Sequence, residues 1–311
     1  MTDHQHFVTQ ALLRNFSSSK KKNKIFVILH INNQLIIKSN PIARTFEQNK
    51  YFTTNEENYD SWFKDIDDQS SSIIASIIKN GVENLNLQER EKINEIIAFQ
   101  WLRCIGIRNQ SILYSEIFEV YKKEYLELKQ EIHDLDKQKK ISLDDLKNDP
   151  RWSYFKYLDK MLGEDSIKYL HANLFTGIQF LIQKLNNLTL SSISPKSSNK
   201  EYEYVISGSP VLYNTWEPEF YFPISPTNCL RFHSIDTSLS PLDSRFLNEL
   251  QFINGGGYNG CRVAARHHET LEYLKNTPLQ YFEIQNLEDS FWKYLFLEMY
   301  KRNQTAKKVS G

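Results

Sequence analysis

The sequence predicts an α+β fold, predominantly helical, on three observations. KIFVILHI (24–31) and QLIIK (34–38) are apolar, β-rich runs parted by Asn32 and Asn33. Asparagine tolerates the positive φ of a tight turn, so the pair reads as a hairpin. Between Tyr59 and Leu188 apolar residues recur at three- and four-residue steps, which marks amphipathic helices. After the polar, turn-rich SSISPKSSNK (191–200) the pattern changes to short apolar runs, a small antiparallel β portion.

The chain opens with HFVTQALLRNF (6–16), in which Val8, Leu12, Leu13 and Phe16 keep helical spacing. Thr9–Phe16 is therefore expected as a short helix, tied down rather than frayed. Beyond the hairpin, Trp62, Phe63, Ile66, Ile73, Ile74, Ile77 and Ile78 stripe a helix from Tyr59 to Asn80 that Gly81 ends. A second helix starts near Leu87, with Ile93, Ile96, Ile97, Trp101, Cys104 and Ile105 on its apolar side. Tyr114, Phe118, Tyr121, Tyr125, Leu128, Ile132 and Leu135 then alternate steps of four and three, as in a coiled-coil seam. Ile167, Leu170, Leu174, Ile178, Leu181, Leu185 and Leu188 form a similar stripe. Ser111–Lys137 and Ser166–Leu188 are thus expected to pair as long antiparallel helices, an arm over about 111–188, with Leu143–Lys160 crossing between them. Strands are expected at 203–207, 210–214, 220–224 and 229–233, and helices near 241–253, 258–275 and 288–302. The chain reads as one domain over 1–302 with its β-containing part at 1–58 and 200–235, followed by a disordered tail at 303–311.

With 311 residues, 40% of them hydrophobic, the chain can bury a sizeable core. Lys+Arg and Asp+Glu balance at 38 each, so net charge draws it to neither nucleic acid nor anionic lipid. Cys104, Cys229 and Cys261 are too few for a disulfide framework and form no CxxC pair, which excludes a zinc ribbon. No run reaches the roughly 18 apolar residues of a membrane span, and no apolar run follows a basic start as in a signal peptide. A cytoplasmic protein without membrane contact is expected. Walker, Rossmann, HExxH and GxSxG motifs are absent. The cofactor stays open: a divalent metal is compatible with the sequence, which offers no clear ligand set for it.

Three places break the local pattern. His6 lies one turn ahead of Gln10, where an imidazole and an amide either cap the first turn or share a ligand. In FQWLR, Gln100 falls four after Ile96 and four before Cys104, inside the apolar stripe, and Arg103 flanks the same face. A buried amide needs a hydrogen bond, and a buried guanidinium needs an anion. Arg103 is read either as half of a structural pair, with Asp67 on the preceding helix as its partner, or as part of an anion site. VISGSPVLYN and FYFPISPTN each hold a tight turn, ordinary turn chemistry that also fixes backbone donors in place.

On these residues the sequence resembles domain of unknown function 4238, a large and mostly bacterial family. The family opens His-aromatic-Val-Pro-Gln-x-x-Leu-x-x-Phe, matched by His6, Phe7, Val8, Gln10, Leu13 and Phe16, with Thr9 in place of Pro. NKYF (49–52), Ile66-Asp67 and Gln100-x-x-Arg103 follow in the family's order. The family's Ser-Asp-x-Pro turn is Ser207-Gly208-Ser209-Pro210 here, and its Pro-Leu-Ser-Pro turn is Pro223-Ile224-Ser225-Pro226. Asn254 and VAARHH match an Asn followed by an Ala-rich helix, so the likeness runs from His6 to about Leu271. Two acidic positions depart from the pattern: Gly208 replaces an Asp, and Asp67 shortens a Glu.

The resemblance brings no chemistry with it; the enzyme reading brings these residues to one polar cleft, with His6, Asp67 and Arg103 as catalytic residues and Gln10, Gln100, Ser207, Ser209 and Asn254 as ligand contacts. Histidine as general acid or base and arginine as anion holder suit phosphodiester cleavage. The expected function is a nuclease-like effector acting on nucleic acid or a nucleotide, and analogy alone places it in a toxin or phage-defence setting. The alternatives are a non-catalytic module for an anionic ligand or protein partner, and a structural polar network whose helical arm serves self-association. Arg262 and His267 fit the R-x4-H spacing of a helical ribonuclease family, but Val263 stands where that family prefers a polar residue, so the match is set aside.

Overall fold

The computed structural model describes residues 4–32, 34–50, 52–53, 63–104, 111–137, 150–162, 175–214, 219–235, 240–254 and 261–276. It is α+β, as the sequence predicts. Its helices are α1 (Gln10–Asn15), α2 (Lys64–Asn80), α3 (Leu87–Leu102), α4 (Ser111–Lys137), α5 (Pro150–Leu162), α6 (Ile178–Asn186), α7 (Ser244–Asn254) and α8 (His268–Asn276). The strands are β1 (His4–His6), β2 (Lys24–Ile31), β3 (Gln34–Pro41), β4 (Glu47–Asn49), β5 (Thr189–Ile193), β6 (Ile206–Ser207), β7 (Leu212–Asn214), β8 (Glu219–Ser225), β9 (Asn228–His233) and β10 (Cys261–Ala265).

All strand pairs are antiparallel: β1 with β4, one four-stranded sheet in the order β3-β2-β10-β6, and another in the order β5-β9-β8-β7. Strand β2 buries residues on both faces, because Ile25, Val27 and Leu29 enter the main core while Ile28 joins Val263, Ala265 and the α8 residues Leu271 and Leu274 in a second cluster. The β2–β3 hairpin forms as expected, with Asn32 at φ 49°. Helix α2 ends at Gly81 (φ 83°), whose N–H reaches Ile77 O at 2.9 Å. Helix α3 opens on a capping box in which Asn86 Oδ1 accepts from Glu89 N and Glu89 Oε2 accepts from Asn86 N, each at 2.9 Å.

Several expectations are corrected. Helix α4 forms over its expected length and packs against α5; residues 166–174, the first half of its expected partner, lie outside the described residues. Residues 150–162, expected as part of a crossing, are themselves helical, with Pro150 at the first helical position, where its missing N–H costs nothing. Tyr125 stacks on Phe155 at 5.1 Å between centroids, next to Trp152, which joins α4 to α5. Ile178, Leu181 and Leu185 pack α6 into the main core against α3, and Tyr121 of α4 packs against that same core. The expected helix at 258–275 is strand β10 followed by α8, and β5 occupies residues read as helix end and loop. Strands β1 and β4 had no sequence signal. The expected helix at 288–302 and the tail lie outside the described residues. Among the described residues, no helix is long and apolar enough to cross a membrane.

Candidate functional site

The amino-terminal segment is fastened by side chains, one of which, Gln100, the sequence suggested as a ligand contact. Thr9 caps α1, its Oγ1 accepting from Ala11 N at 3.1 Å. Gln100, only 3% exposed on α3, donates through Nε2 to Phe7 O at 2.9 Å. Gln5 accepts from Phe52 N at 2.6 Å and donates to Thr53 Oγ1 at 2.8 Å. Phe7, Val8, Leu12, Leu13 and Phe16 fill the core below. Expected to be largely buried, His6 and Gln10 are half-buried, because α1 turns only its apolar side inward.

The outer side of this segment forms one wall of an open cleft of about 570 Å³. Gln5, His6, Thr9, Gln10 and Arg14 line that wall, Ala43 and Arg44 come from the 3-10 turn at 42–44, and Asp67 and Asp68 come from the first turns of α2. Gln10 does not bond His6; its Oε1 accepts from Arg14 Nη2 at 3.3 Å.

Arg103 caps the carboxy-terminal end of α3, where the helix dipole favours a positive charge. Its side chain is 2% exposed and donates through Nη1 to Asp67 Oδ1 at 2.8 Å, and Asp67 is itself 35% exposed at the cleft. The guanidinium lies over Phe63, 5.4 Å from Cζ to ring centre. Its Nε and Nη2 are buried without hydrogen-bond partners, and so is His6 Nε2. Burial lowers the His6 pKa below its usual 6.5 and the Arg103 charge adds to this, while Glu47 opposes it. The imidazole is therefore neutral at pH 7.

The expected single constellation divides into three. His6, Gln10 and Asp67 line the cleft, with Arg103 bonded to Asp67 behind it, whereas Gln100 serves as an internal tie. Ser207 and Ser209 are corrected out of the cleft. Ser207 N lies 3.2 Å from Gln251 Oε1, which also accepts from Ser207 Oγ. Gln251 Nε2 donates to Pro210 O at 2.7 Å, and Ser209 N donates to Ser207 Oγ at 3.1 Å. The turn that resembles the family motif is thus held to α7 and its polar groups are used internally. Asn254 ends α7, and its side chain lies outside the described set. Arg262 stands on a strand, which removes the helical R-x4-H reading.

Arg14, Arg44 and Asp68 are cleft residues that the sequence reading missed. Arg14 had a usable signal, since it falls one helical turn after Gln10; Arg44, in PIARTF, had none. Among the described residues, no group of three or more His, Cys, Asp or Glu is gathered as a metal-ligand set.

No curated protein and no solved structure gives a significant match to the chain. A family model does, over residues 4–246, a span that includes His6, Asp67, Gln100, Arg103 and the 207–210 turn and stops short of Asn254. With most of its length matched in this way, the chain belongs to the family described as protein of unknown function (DUF4238).

Proposed function

We propose that the cleft binds a phosphate-bearing ligand and that the protein cleaves phosphodiester bonds in the manner of a nuclease. One observation carries the reading: a histidine with a buried, unpartnered Nε2 lines the open cleft, and a deeply buried, partly unpartnered arginine adjoins it through Asp67. In this reading His6 gives or takes the proton of the reacting oxygen. The Arg103 guanidinium stabilises the extra negative charge that develops on the phosphoryl oxygens in the transition state, and Arg14 and Arg44 draw the anion to the rim.

The test assays the purified full-length chain against single- and double-stranded RNA and DNA and against bis(p-nitrophenyl) phosphate, with and without Mg²⁺ or Mn²⁺. Cleavage that His6→Ala and Arg103→Lys abolish, without loss of folding, is the expected result. Cleavage that survives both substitutions places the chemistry elsewhere.

A second reading, recognition of an anionic ligand without turnover, is favoured by the 207–210 turn. Gly208 stands there in place of an acidic residue, and Ser207 is committed to Gln251. It predicts nucleotide binding that depends on Arg103 with no product in any assay.

A further inference from the structure

We infer that Arg103 carries a subsite for a terminal phosphate group, held in the unliganded protein by the carboxylate of Asp67, which the ligand phosphate displaces. A guanidinium has two forked edges, one formed by Nη1 and Nη2 and the other by Nε and Nη2, and each matches two oxygens of an oxyanion. Asp67 takes only Nη1, through a single oxygen at 2.8 Å. The whole Nε/Nη2 edge is buried and without a partner.

Arg231, also deeply buried, shows how this fold satisfies such a group. Its Nε donates to Glu219 Oε1 at 3.1 Å and its Nη2 donates to the same oxygen, so the edge unused in Arg103 is filled in Arg231. Two unpaired N–H donors on a buried cation are costly, and native folds keep few of them. The His6 Nε2, beside the same cleft, is a third unpartnered polar atom.

Access runs through Asp67, which touches both the buried guanidinium and the open cleft. That route also selects the ligand. Asp67 competes as an intramolecular anion, always present at high effective concentration. A phosphodiester brings one negative charge and two free oxygens, no more than the carboxylate it must replace. A phosphate monoester brings about −1.5 to −2 charge at pH 7 and three strong acceptor oxygens, enough to fill the unused edge. The class is therefore a nucleotide or strand end bearing a terminal phosphate, with the rest of the ligand in the open part of the cleft near Arg14 and Arg44. This rests on the cleft being an anion site and not on its turnover.

Isothermal titration of the full-length chain with inorganic phosphate and dimethyl phosphate tests it, together with a dinucleotide with and without a terminal phosphate. Inorganic phosphate should bind at least about tenfold more tightly than dimethyl phosphate, and the terminal phosphate should strengthen dinucleotide binding by a similar factor. Asp67→Asn, which keeps the shape and removes the competing charge, should raise phosphate affinity about tenfold, and Arg103→Lys should lose it. Weaker phosphate binding by Asp67→Asn, equal binding of the diester, or indifference to the terminal phosphate overturns the inference. Should Asp67→Asn not fold, the Arg103 Nε–H resonance of the wild-type chain decides, because it must shift with phosphate and stay put with dimethyl phosphate. Diester cleavage at His6 without these binding results defeats this inference and leaves the proposed function standing; the binding results without cleavage do the reverse.

Discussion

Replacing Arg103 with methionine keeps most of the buried stem and removes the charge, so it separates what the guanidinium does for folding from what it does for a ligand. Three contributions decide the sign. Losing the charge-assisted bond to Asp67 costs about 1.5–3 kcal/mol for a buried pair, and less here because Asp67 is 35% exposed and regains water. Losing the contact over Phe63 costs about 0.5–1 kcal/mol. Against these, two buried donors without partners disappear, each relieving about 1–3 kcal/mol. The balance favours the variant by about 1 kcal/mol, which for a chain of this size raises Tm by about 1–2 °C. Urea and thermal unfolding should show unchanged or slightly raised stability while phosphate binding is lost. A destabilisation of about 3–5 kcal/mol, typical when one partner of a satisfied buried pair is removed, would refute the reasoning, because it would mean that the guanidinium is fully used by the fold.

Gln100→Leu removes the buried bond to Phe7 O that ties α3 to the chain start; a loss of about 1–3 kcal/mol is expected, read as a lower urea midpoint with unchanged slope. Gln251→Leu cuts the bonds to Ser207 and Pro210, so a larger loss is expected, with phosphate affinity unchanged per folded molecule. A selective fall in affinity would place the turn in the site after all. For His6 the folded pKa lies below the unfolded 6.5, so the unfolded chain takes up the proton first as pH falls. Its contribution is whole above pH 6.5 and is lost as pH drops toward the folded pKa, so His6→Gln should flatten the stability curve between about pH 7 and pH 5. A steeper curve in the variant would show that the sign is wrong.

Local patterns were readable from residue types alone. The 24–41 hairpin follows from two β-rich runs around Asn32, α1 from Thr9 and the Leu12/Leu13/Phe16 spacing, and α3 from its apolar stripe. The same stripe exposed Gln100 and Arg103 as misplaced polar groups, and the pairing of Arg103 with Asp67 was among the readings it allowed. Only the tertiary structure told the two apart, making Gln100 a tie to the chain start and leaving Arg103 with an unused edge behind Asp67, which lines the cleft. Contacts between distant segments decided the rest. Val263, Ala264 and Ala265 are buried because β2 and β6 flank β10 and α8 covers it, and an apolar run buried on both faces has the same composition as a helix turn. Tyr125 of α4 meets Phe155 of α5, and the role of Ser207 depends on Gln251, which lies 44 residues away. Periodicity records which side of an element is apolar; which surface covers that side is set by contacts that one stretch of chain does not contain.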